Sequence, residues 1–266
     1  MIKFLNNLIK KRIKLNTTSY PMKIDAINHI MQEENVSNFS IAAYKLSLNE
    51  LFILFQTDKA SIYQNVVYYK KNYKRSLISG HNYAVFYEKF LKNKKDQIQN
   101  IIEIGSWIGS SSAAFYFFFK NATIYCLDID FRINTIFADR IKRVVCDQSN
   151  ETQIYKFIKD YELQNRIDIV IDDGAHIDEY ILTSFNTIFL HLAPGGYYFI
   201  EDVSKDNTPI VYSSLMKLAS NINNNMDCKI SKEVINQIDK IKIYKSEVLR
   251  SNSRDTYIIM ISKKIA

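Results

Sequence analysis

The chain has 266 residues, of which 47% are hydrophobic, 24% charged and 13% aromatic. This length and composition exclude a disordered, collagenous or low-complexity protein and indicate a folded protein with a sizeable core. The net charge of +7 is unevenly distributed, because residues 1–100 contain 16 basic and 7 acidic residues, whereas residues 101–266 contain 19 and 21. The basic character therefore belongs to the first third of the chain.

Residues 1–16 predict an amphipathic basic helix, because apolar residues recur at helical spacing among lysines and an arginine: Ile2, Leu5, Ile9 and Ile13. Such a helix is compatible with peripheral contact with an anionic membrane. Packing on its own protein or on a second subunit is the commoner alternative. No apolar run is long enough for a transmembrane helix. The N-terminal segment is not followed by the small-residue cleavage site of a secretory signal. We expect a cytoplasmic protein, which also fits three cysteines without paired spacing, Cys126, Cys146 and Cys228.

Residues 1–97 are predicted to form a mainly helical N-terminal region. Three segments carry apolar residues at a 3.6-residue period, namely 27–34, 39–55 and 83–92. Between the last two, residues 62–80 are rich in tyrosine and lysine and too polar and irregular for a core. We expect them to form a long surface segment.

From about residue 98, short β-branched runs alternate with longer helical segments, which predicts a parallel sheet covered on both faces. The predicted strands are 98–105, 122–129, 143–147, 166–174 and 195–203, and the predicted helices are 110–120, 151–163, 178–192 and 208–222. Two extended runs, 240–250 and 255–264, flank Ser251-Asn252-Ser253 and predict an antiparallel hairpin. The predicted fold class is α/β, with a doubly wound, mostly parallel sheet of seven strands over residues 98–266 and an N-terminal helical extension.

The first predicted strand runs into a glycine-containing turn, Glu103-Ile104-Gly105-Ser106-Trp107-Ile108-Gly109-Ser110. Ligands of open parallel sheets bind at the carboxyl ends of the strands, so we expect this turn to face a ligand. A pyrophosphate-binding G-x-G-x-x-G would need glycines where Trp107 and Ser110 stand. Asp128 ends the second strand and is placed to accept both hydroxyls of a ribose. The pattern predicts an adenosine ligand without a pyrophosphate.

Three carboxylates are expected to converge at the tips of two neighbouring strands. Asp173 lies at the tip of the fourth strand, and Glu201 and Asp202 lie at the tip of the fifth. A hard divalent cation would relieve their mutual repulsion, and Mg²⁺ suits them better than zinc because no Cys or His cluster completes a softer site. Helix caps and ion pairs are the alternative role. Strand alternation turns Asp172 the other way.

The glycine turn, followed by Ile124-Tyr125-Cys126-Leu127-Asp128-Ile129, resembles motif I and the ribose acid of class I S-adenosylmethionine-dependent methyltransferases. Segments 144–150, 167–176 and 194–203, which include D-D-G-x-H and I-E-D, resemble the metal-dependent sugar O-methyltransferases of the mycinamicin and tylosin type. The resemblance extends over about residues 55–264. It implies a Rossmann-like methyltransferase fold with S-adenosylmethionine and Mg²⁺ as cofactors.

The resemblance also implies a set of cofactor-binding residues. Glu103, Gly105 and Gly109 would shape the methionine pocket, Asp128 would bind the ribose, and Asp147 with Gln148 would bracket the adenine. A helix N-cap is the alternative role for Asp147, since Asp is a common cap. The complete predicted set is Thr57, Lys59, Glu103, Gly105, Ser106, Trp107, Gly109, Ser110, Asp128, Ile129, Asp147, Gln148 and Asp172.

For the reaction, the resemblance implies Asp173 and Asp202 as metal ligands, with Glu201 as the third. His176 in D-D-G-x-H matches the family's proposed general base, although a lone histidine is more often structural. Mg²⁺ would lower the pKa of the acceptor hydroxyl while His176 takes the proton. We therefore predict His176 and Asp173 as the catalytic residues.

Two further elements, Thr57-Asp58-Lys59 and His81-Asn82-Tyr83 with Tyr87-Glu88, resemble the family's substrate-side motifs. They imply that His81, Tyr83 and Tyr87 contact the acceptor. In the family these elements sit close together, whereas here the 19 residues 62–80 separate them. We interpret this insert as a lid over the acceptor site, whose bases could meet phosphates of a nucleotide-linked or lipid-linked sugar. A solvated variable loop is the alternative.

The predicted function is Mg²⁺-dependent O-methylation of a sugar hydroxyl on a small-molecule acceptor. The sequence is rich in Ile, Lys and Asn, which suggests an AT-rich bacterial genome. We therefore expect a role in capsule or lipopolysaccharide biosynthesis. One alternative is methyl transfer to a phosphate-type or catechol-like oxygen. Another is a nucleic-acid-binding methyltransferase or non-catalytic binder, although no nucleic acid is expected because the basic region is not interleaved with the strand-tip motifs. Related enzymes build subunit contacts in the helical region, which predicts a homo-oligomer.

Overall fold

The computed structural model describes residues 43–69, 72–130, 139–220, 229–246 and 256–265, without the side chains of residues 63–77. The predicted helices at 1–16 and 27–34, Cys228 and the turn at 251–253 lie outside these ranges. Among the described residues, no helix is long and apolar enough to cross a membrane.

The chain up to residue 97 contributes two helices and a hairpin to the described structure. They are α1 (Leu48–Phe55), the antiparallel strands β1 (Ile62–Tyr69) and β2 (Asn72–Ser79), and α2 (Tyr83–Leu91). Helix α1 begins at a capping box, in which the Ser47 hydroxyl accepts from the Glu50 N–H at 3.2 Å and the Glu50 carboxylate accepts from the Ser47 N–H at 2.8 Å.

The remaining chain alternates strands with helices before ending in an antiparallel pair. The elements are β3 (Asn100–Ile104), α3 (Ser110–Phe118), β4 (Thr123–Asp128), β5 (Ile141–Val145), α4 (Glu151–Asp160), β6 (Ile167–Asp172), α5 (Asp178–Ile188), β7 (Leu192–Val203), α6 (Pro209–Ala219), α7 (Lys232–Gln237), β8 (Ile238–Lys245) and β9 (Tyr257–Lys263).

The sheet has seven strands in the order β5-β4-β3-β6-β7-β9-β8. Strands β3 to β7 are mutually parallel, and β9 pairs antiparallel with both β7 and β8. The predicted doubly wound, mostly parallel sheet is therefore confirmed. Chain order reverses between β3 and β6, so the carboxyl ends of these two strands border the crevice where such sheets bind ligands.

The N-terminal helices form part of the core on one face of the sheet. Phe52 of α1 packs edge-on against Phe115 of α3 at a centroid distance of 5.4 Å, and Tyr87 of α2 lies 4.7 Å from Phe199 of β7. All four side chains are fully buried. This packing anchors α1 and α2 above the strand tips, while a domain boundary at residue 97 stays a prediction.

The insert at 62–80 differs from the irregular surface segment that we expected. Its backbone forms an antiparallel hairpin, paired from Ile62 with Ser79 to Tyr69 with Asn72. The tyrosines and valines that we read only as surface residues also have high strand propensity, because β-branched and aromatic side chains suit a pleated backbone. The abundance of polar residues masked this signal.

Candidate active site

The turn after β3 presses against the loop after β6. Gly105 has φ +79°, and a Cβ there would lie 2.1 Å from the carbonyl oxygen of Asp173. Only glycine allows both the left-handed conformation and this close approach. Gly109, with φ +74°, is the N-cap residue of α3, and its N–H donates to the Ser106 carbonyl at 2.7 Å. The two predicted motifs thus meet at the crevice.

Three buried polar atoms around this turn make no hydrogen bond within the described part of the chain. They are Oε1 of Glu103 and the hydroxyls of Ser106 and Ser110. The other Glu103 oxygen accepts from the Ser112 hydroxyl, and burial raises the Glu103 pKa. Because buried polar groups are almost always hydrogen-bonded, this cluster indicates a polar ligand.

Asp128 ends β4 beside this cluster, as predicted. Its carboxylate accepts from the backbone N–H of Trp107 at 2.8 Å and of Asp130 at 3.1 Å. Each oxygen keeps acceptor capacity for a diol. Trp107 and Ile129 beside it are 55% and 71% exposed, so apolar surface is available to a flat ligand.

The N-cap alternative for Asp147 is wrong. Helix α4 is capped by Asn150, whose side chain accepts from the Gln153 N–H at 3.1 Å. The Asp147 carboxylate accepts from the Ser149 N–H at 2.8 Å and holds the loop between β5 and α4. Its partner Gln148 is buried and accepts from the Ala175 N–H at 3.1 Å, which ties this loop to the turn after β6.

Asp172 faces away from Asp173, as strand alternation predicted, but it is buried and does not line the crevice. It accepts from Gln148 at 2.6 Å, from Ser184 at 2.8 Å and from Tyr198 at 2.9 Å. Burial raises its pKa to about 6. The structure therefore corrects its predicted role from a direct cofactor contact to a residue that positions Gln148.

The tips of β6 and β7 bring together a group that could hold a metal ion. Asp173, His176 and Asp202, all partly exposed, each offer a ligand atom within 4.8 Å of the others. His176 and Asp202 have φ of +53° and +52°, a region that such residues seldom occupy and that concentrates at functional sites. Burial opposes ionisation of Asp202, but His81 and the Tyr83 hydroxyl hold its pKa below the ordinary value.

Glu201 lies outside this group, and its role as the third ligand stays a prediction. One of its oxygens accepts from Lys59 at 2.5 Å and the other accepts from the Tyr87 hydroxyl. Lys59 also donates to Asp173 and is 2% exposed. Lys59, predicted to bind the cofactor, is instead a buried cation between two strand tips, and Thr57 supports its loop by accepting from the Lys59 N–H at 3.4 Å.

The predicted acceptor contacts have different surroundings. Tyr83 and Tyr87 are buried and donate to Asp202, at 2.6 Å, and to Glu201. They therefore orient carboxylates and leave no hydroxyl surface for an acceptor, which corrects their assignment. His81 is partly exposed, stacks on Tyr83 and places Nδ1 3.6 Å from the Asp202 carboxylate. It stays a candidate for acceptor contact.

The hairpin does not separate the two substrate-side elements in space. His81 N–H donates to the Asp58 carbonyl at 2.7 Å, and Ala84 N–H donates to the Lys59 carbonyl at 3.3 Å. At the base of the hairpin, the Gly80 N–H donates to the Ser61 carbonyl at 2.9 Å. The two elements are thus adjacent, and the hairpin projects from a closed base.

Several supporting residues gave no sequence signal of their own. Ser184 and Tyr198 bind Asp172, Ser112 binds Glu103, and the Ser246 hydroxyl lies 3.0 Å from His81 Nδ1. Ser184 and Ser112 could have been suspected, because each is a hydroxyl on the predicted buried face of a helix. Ser246 lies 165 positions from His81, so no local pattern connects them.

The order of the strands, the glycine turn and the carboxylates at the tips define a class I S-adenosylmethionine-dependent methyltransferase fold. Among solved structures, the chain is similar to the MycE methyltransferase from the mycinamycin biosynthetic pathway, determined in complex with Mg, SAH and mycinamycin VI. The TM-score is 0.61 at 21% identity, and the alignment covers 94% of this chain and 64% of that one. This likeness shows the fold.

Curated relatives are similar in sequence to part of the chain. Demethylmacrocin O-methyltransferase of Streptomyces fradiae is 34% identical over 130 residues, 46% of this chain and 32% of that protein. Mycinamicin VI 2''-O-methyltransferase of Micromonospora griseorubida is 33% identical over 132 residues, with the same coverage. The predicted resemblance to sugar O-methyltransferases of the mycinamicin type is confirmed, although each match spans about a third of the relative. No family profile matches the chain.

Proposed function

We propose that the protein is an S-adenosylmethionine- and Mg²⁺-dependent O-methyltransferase that methylates a sugar hydroxyl. The observation that carries this proposal is the juxtaposition of two sites at one sheet edge. The unpaired polar cluster after β3 adjoins the group Asp173, His176 and Asp202 after β6 and β7. Methyl transfer requires the donor and the activated acceptor to bind next to each other, as two adjacent sites allow.

The cluster after β3 suits the methionine end of the cofactor. Glu103 Oε1 is a buried acceptor that lacks a donor, which an ammonium group supplies. The hydroxyls of Ser106 and Ser110 can donate to a carboxylate. Asp128 retains acceptor capacity for ribose hydroxyls, and the exposed Trp107 and Ile129 offer apolar surface for the adenosine.

The group after β6 and β7 suits a divalent cation. Two carboxylates and an imidazole within 4.8 Å of one another provide mainly oxygen donors, as Mg²⁺ prefers. Asp173 and Asp202 are the ligands that we assign most directly. We retain Glu201 as a third ligand, since each of its oxygens accepts one hydrogen bond and keeps further acceptor capacity.

When bound, S-adenosylmethionine supplies an electrophilic methyl group and Mg²⁺ acidifies the acceptor hydroxyl. His176 takes the hydroxyl proton on its imidazole, which is partly exposed and so accessible to an acceptor. Asp173 places a carboxylate oxygen 3.5 Å from His176 Nε2, within reach to orient the ring. Tyr83 fixes Asp202 through its hydroxyl, and α1 and α2 cover the site on one side.

The acceptor class is supported by the names of the relatives. A third relative, 8-demethyl-8-alpha-L-rhamnosyl tetracenomycin-C 2'-O-methyltransferase of Streptomyces olivaceus, is 31% identical over 136 residues. None of the names refers to a capsule or lipopolysaccharide, so that expectation is not supported, and a glycosylated small molecule is the acceptor we propose. Incubation with labelled S-adenosylmethionine and a panel of glycosylated metabolites, nucleotide sugars and glycan fragments tests this. Methylation of phosphate esters or catechols alone would favour the alternative oxygen acceptors.

Chelation with excess EDTA is expected to abolish methyl transfer, and added Mg²⁺ is expected to restore it. Without a divalent cation, the acceptor hydroxyl keeps its ordinary acidity and is a poor nucleophile. The measurement is the initial rate of label transfer at fixed acceptor concentration before and after readdition. Undiminished transfer to every acceptor under full chelation would show that the metal mechanism is wrong.

Shortening the hairpin is expected to raise the acceptor KM without changing cofactor affinity. We propose replacing residues 63–78 with an Asn-Gly turn between Ile62 and Ser79, which are already paired across the base. The reason is that the hairpin leaves from the substrate-side elements and not from the glycine turn. Steady-state kinetics and cofactor titration separate the two effects, and equal weakening of both would contradict the lid hypothesis.

A further inference from the structure

We propose that Lys59 is an internal cation that holds Asp173 and Glu201 until a divalent ion arrives and thereby sets the affinity of the site for that ion. This inference rests on the metal site proposed above. The Lys59 ammonium contacts a carboxylate oxygen of Asp173 and lies 2.5 Å from one of Glu201. Its side chain is 2% exposed, so water replaces neither contact.

The charges around Lys59 show why one ammonium does not satisfy the site. Four carboxylates approach one another at this edge of the sheet: Glu103, Asp173, Glu201 and Asp202. Burial lowers the pKa of Lys59, but Asp173 and Glu201 outweigh burial and raise it well above the ordinary value.

Lys59 and a divalent ion would compete for the same two carboxylates. One oxygen of Asp173 contacts Lys59, and the other lies 3.5 Å from His176 in the metal group. Glu201 lies outside that group, and its oxygens accept from Lys59 and from the Tyr87 hydroxyl. A divalent ion that bound both carboxylates would therefore lie close to the Lys59 ammonium. Two cations in such a dry environment also repel each other strongly.

The loop that carries Lys59 fixes the ammonium in place. The Lys59 carbonyl accepts from the Ala84 N–H at 3.3 Å, and Asn82 N–H donates to the Ala60 carbonyl at 3.1 Å. Gly80 packs so closely that a Cβ there would lie 2.0 Å from the Ala60 carbonyl oxygen. This backbone is held on one side by α2, so the attachment point of the Lys59 side chain is fixed near the strand tips.

The test is direct titration of Mg²⁺ and Mn²⁺ into full-length wild-type and Lys59→Met protein by calorimetry, without cofactor or acceptor. Lys59→Met is expected to bind the divalent ion about tenfold more tightly, since the competing charge is gone. Its melting temperature should be lower than that of the wild type without metal, and the difference should narrow at saturating Mg²⁺. Lys156→Met, which removes a lysine from the exposed ion pair with Asp160, is the matched control and should bind like the wild type.

Equal or weaker divalent binding by Lys59→Met would overturn the inference. If wild type and variant both fail to bind a divalent ion, the proposed metal site itself is wrong, and the two failures are thus distinguishable. If Lys59→Met does not fold, the pair Glu201→Gln and Glu201→Gln/Lys59→Met gives the same comparison without an unpaired Glu201 charge. The double variant should then bind Mn²⁺ more tightly than Glu201→Gln, and equal affinities would overturn the proposal.

Discussion

His176→Asn is expected to lower kcat for methyl transfer by roughly 100- to 10,000-fold, the usual contribution of a general base. Asparagine tolerates the left-handed conformation that His176 adopts at φ +53°, but its amide cannot take a proton. The side chain is one-third exposed, and asparagine keeps a polar group of smaller size at this position. Single-turnover rates with labelled S-adenosylmethionine give the effect, and an unchanged melting temperature would show that the fold is retained.

The role of His176 as a base can be separated from a role as a metal ligand. If the imidazole acts only as a base, His176→Asn should bind Mn²⁺ like the wild type, whereas a ligand role predicts weaker binding. His191→Asn is a matched control, because His191 packs against Tyr155 far from the strand tips and should leave kcat unchanged. Wild-type turnover by His176→Asn would refute the base assignment.

Gly105→Ala is expected to destabilise the protein by roughly 2–5 kcal/mol and to abolish cofactor binding. A left-handed alanine costs about 1–2 kcal/mol, and an overpacked contact costs about 1–3 kcal/mol more. The second term arises because the new Cβ would lie 2.1 Å from the Asp173 carbonyl oxygen. The strand-tip loop must then move, and Asp173, the proposed metal ligand, would move with it. Denaturant unfolding and cofactor titration measure the two consequences.

Gly195→Ala isolates the conformational part of this effect. Gly195 also has a left-handed φ, +73°, but the nearest side-chain atom to a Cβ there, from Ile265, is 3.4 Å away. Its loss of stability should therefore be only about 1–2 kcal/mol, with unchanged cofactor affinity. Equal destabilisation by the two substitutions would mean that the approach of the glycine turn to Asp173 has no energetic importance.

The sheet and its strand tips could be predicted because their signals are local. Runs such as Ile167–Asp172 are rich in β-branched residues, with Asp168 near the start and Asp172 at the polar tip, and parallel pairing then brings the tips to one edge. The positions of Asp128, Asp173 and Asp202 follow from that rule alone. The same periodicity correctly turned Asp172 to the opposite face.

The surroundings of the remaining site residues could not be predicted, because they depend on contacts between distant parts of the chain. Lys59 meets Glu201 across 142 positions, and Tyr83 meets Asp202 across 119. The carboxylate of Glu201 suits a metal ligand. Whether it faces a metal or a buried ammonium depends on which side chain of the N-terminal region packs against it. Tyr83 and Tyr87 were likewise assigned by motif, without the burial that removes them from the acceptor.

The closed base of the β1–β2 hairpin has a consequence for how such enzymes diverge. Ser61 and Gly80 are already joined by a backbone hydrogen bond, and the flanking residues bind α2 independently of the strands. Chain can therefore be gained or lost between them without displacing Lys59 or His81. Selection could therefore graft, lengthen or remove this arm while the residues of the proposed site keep their positions.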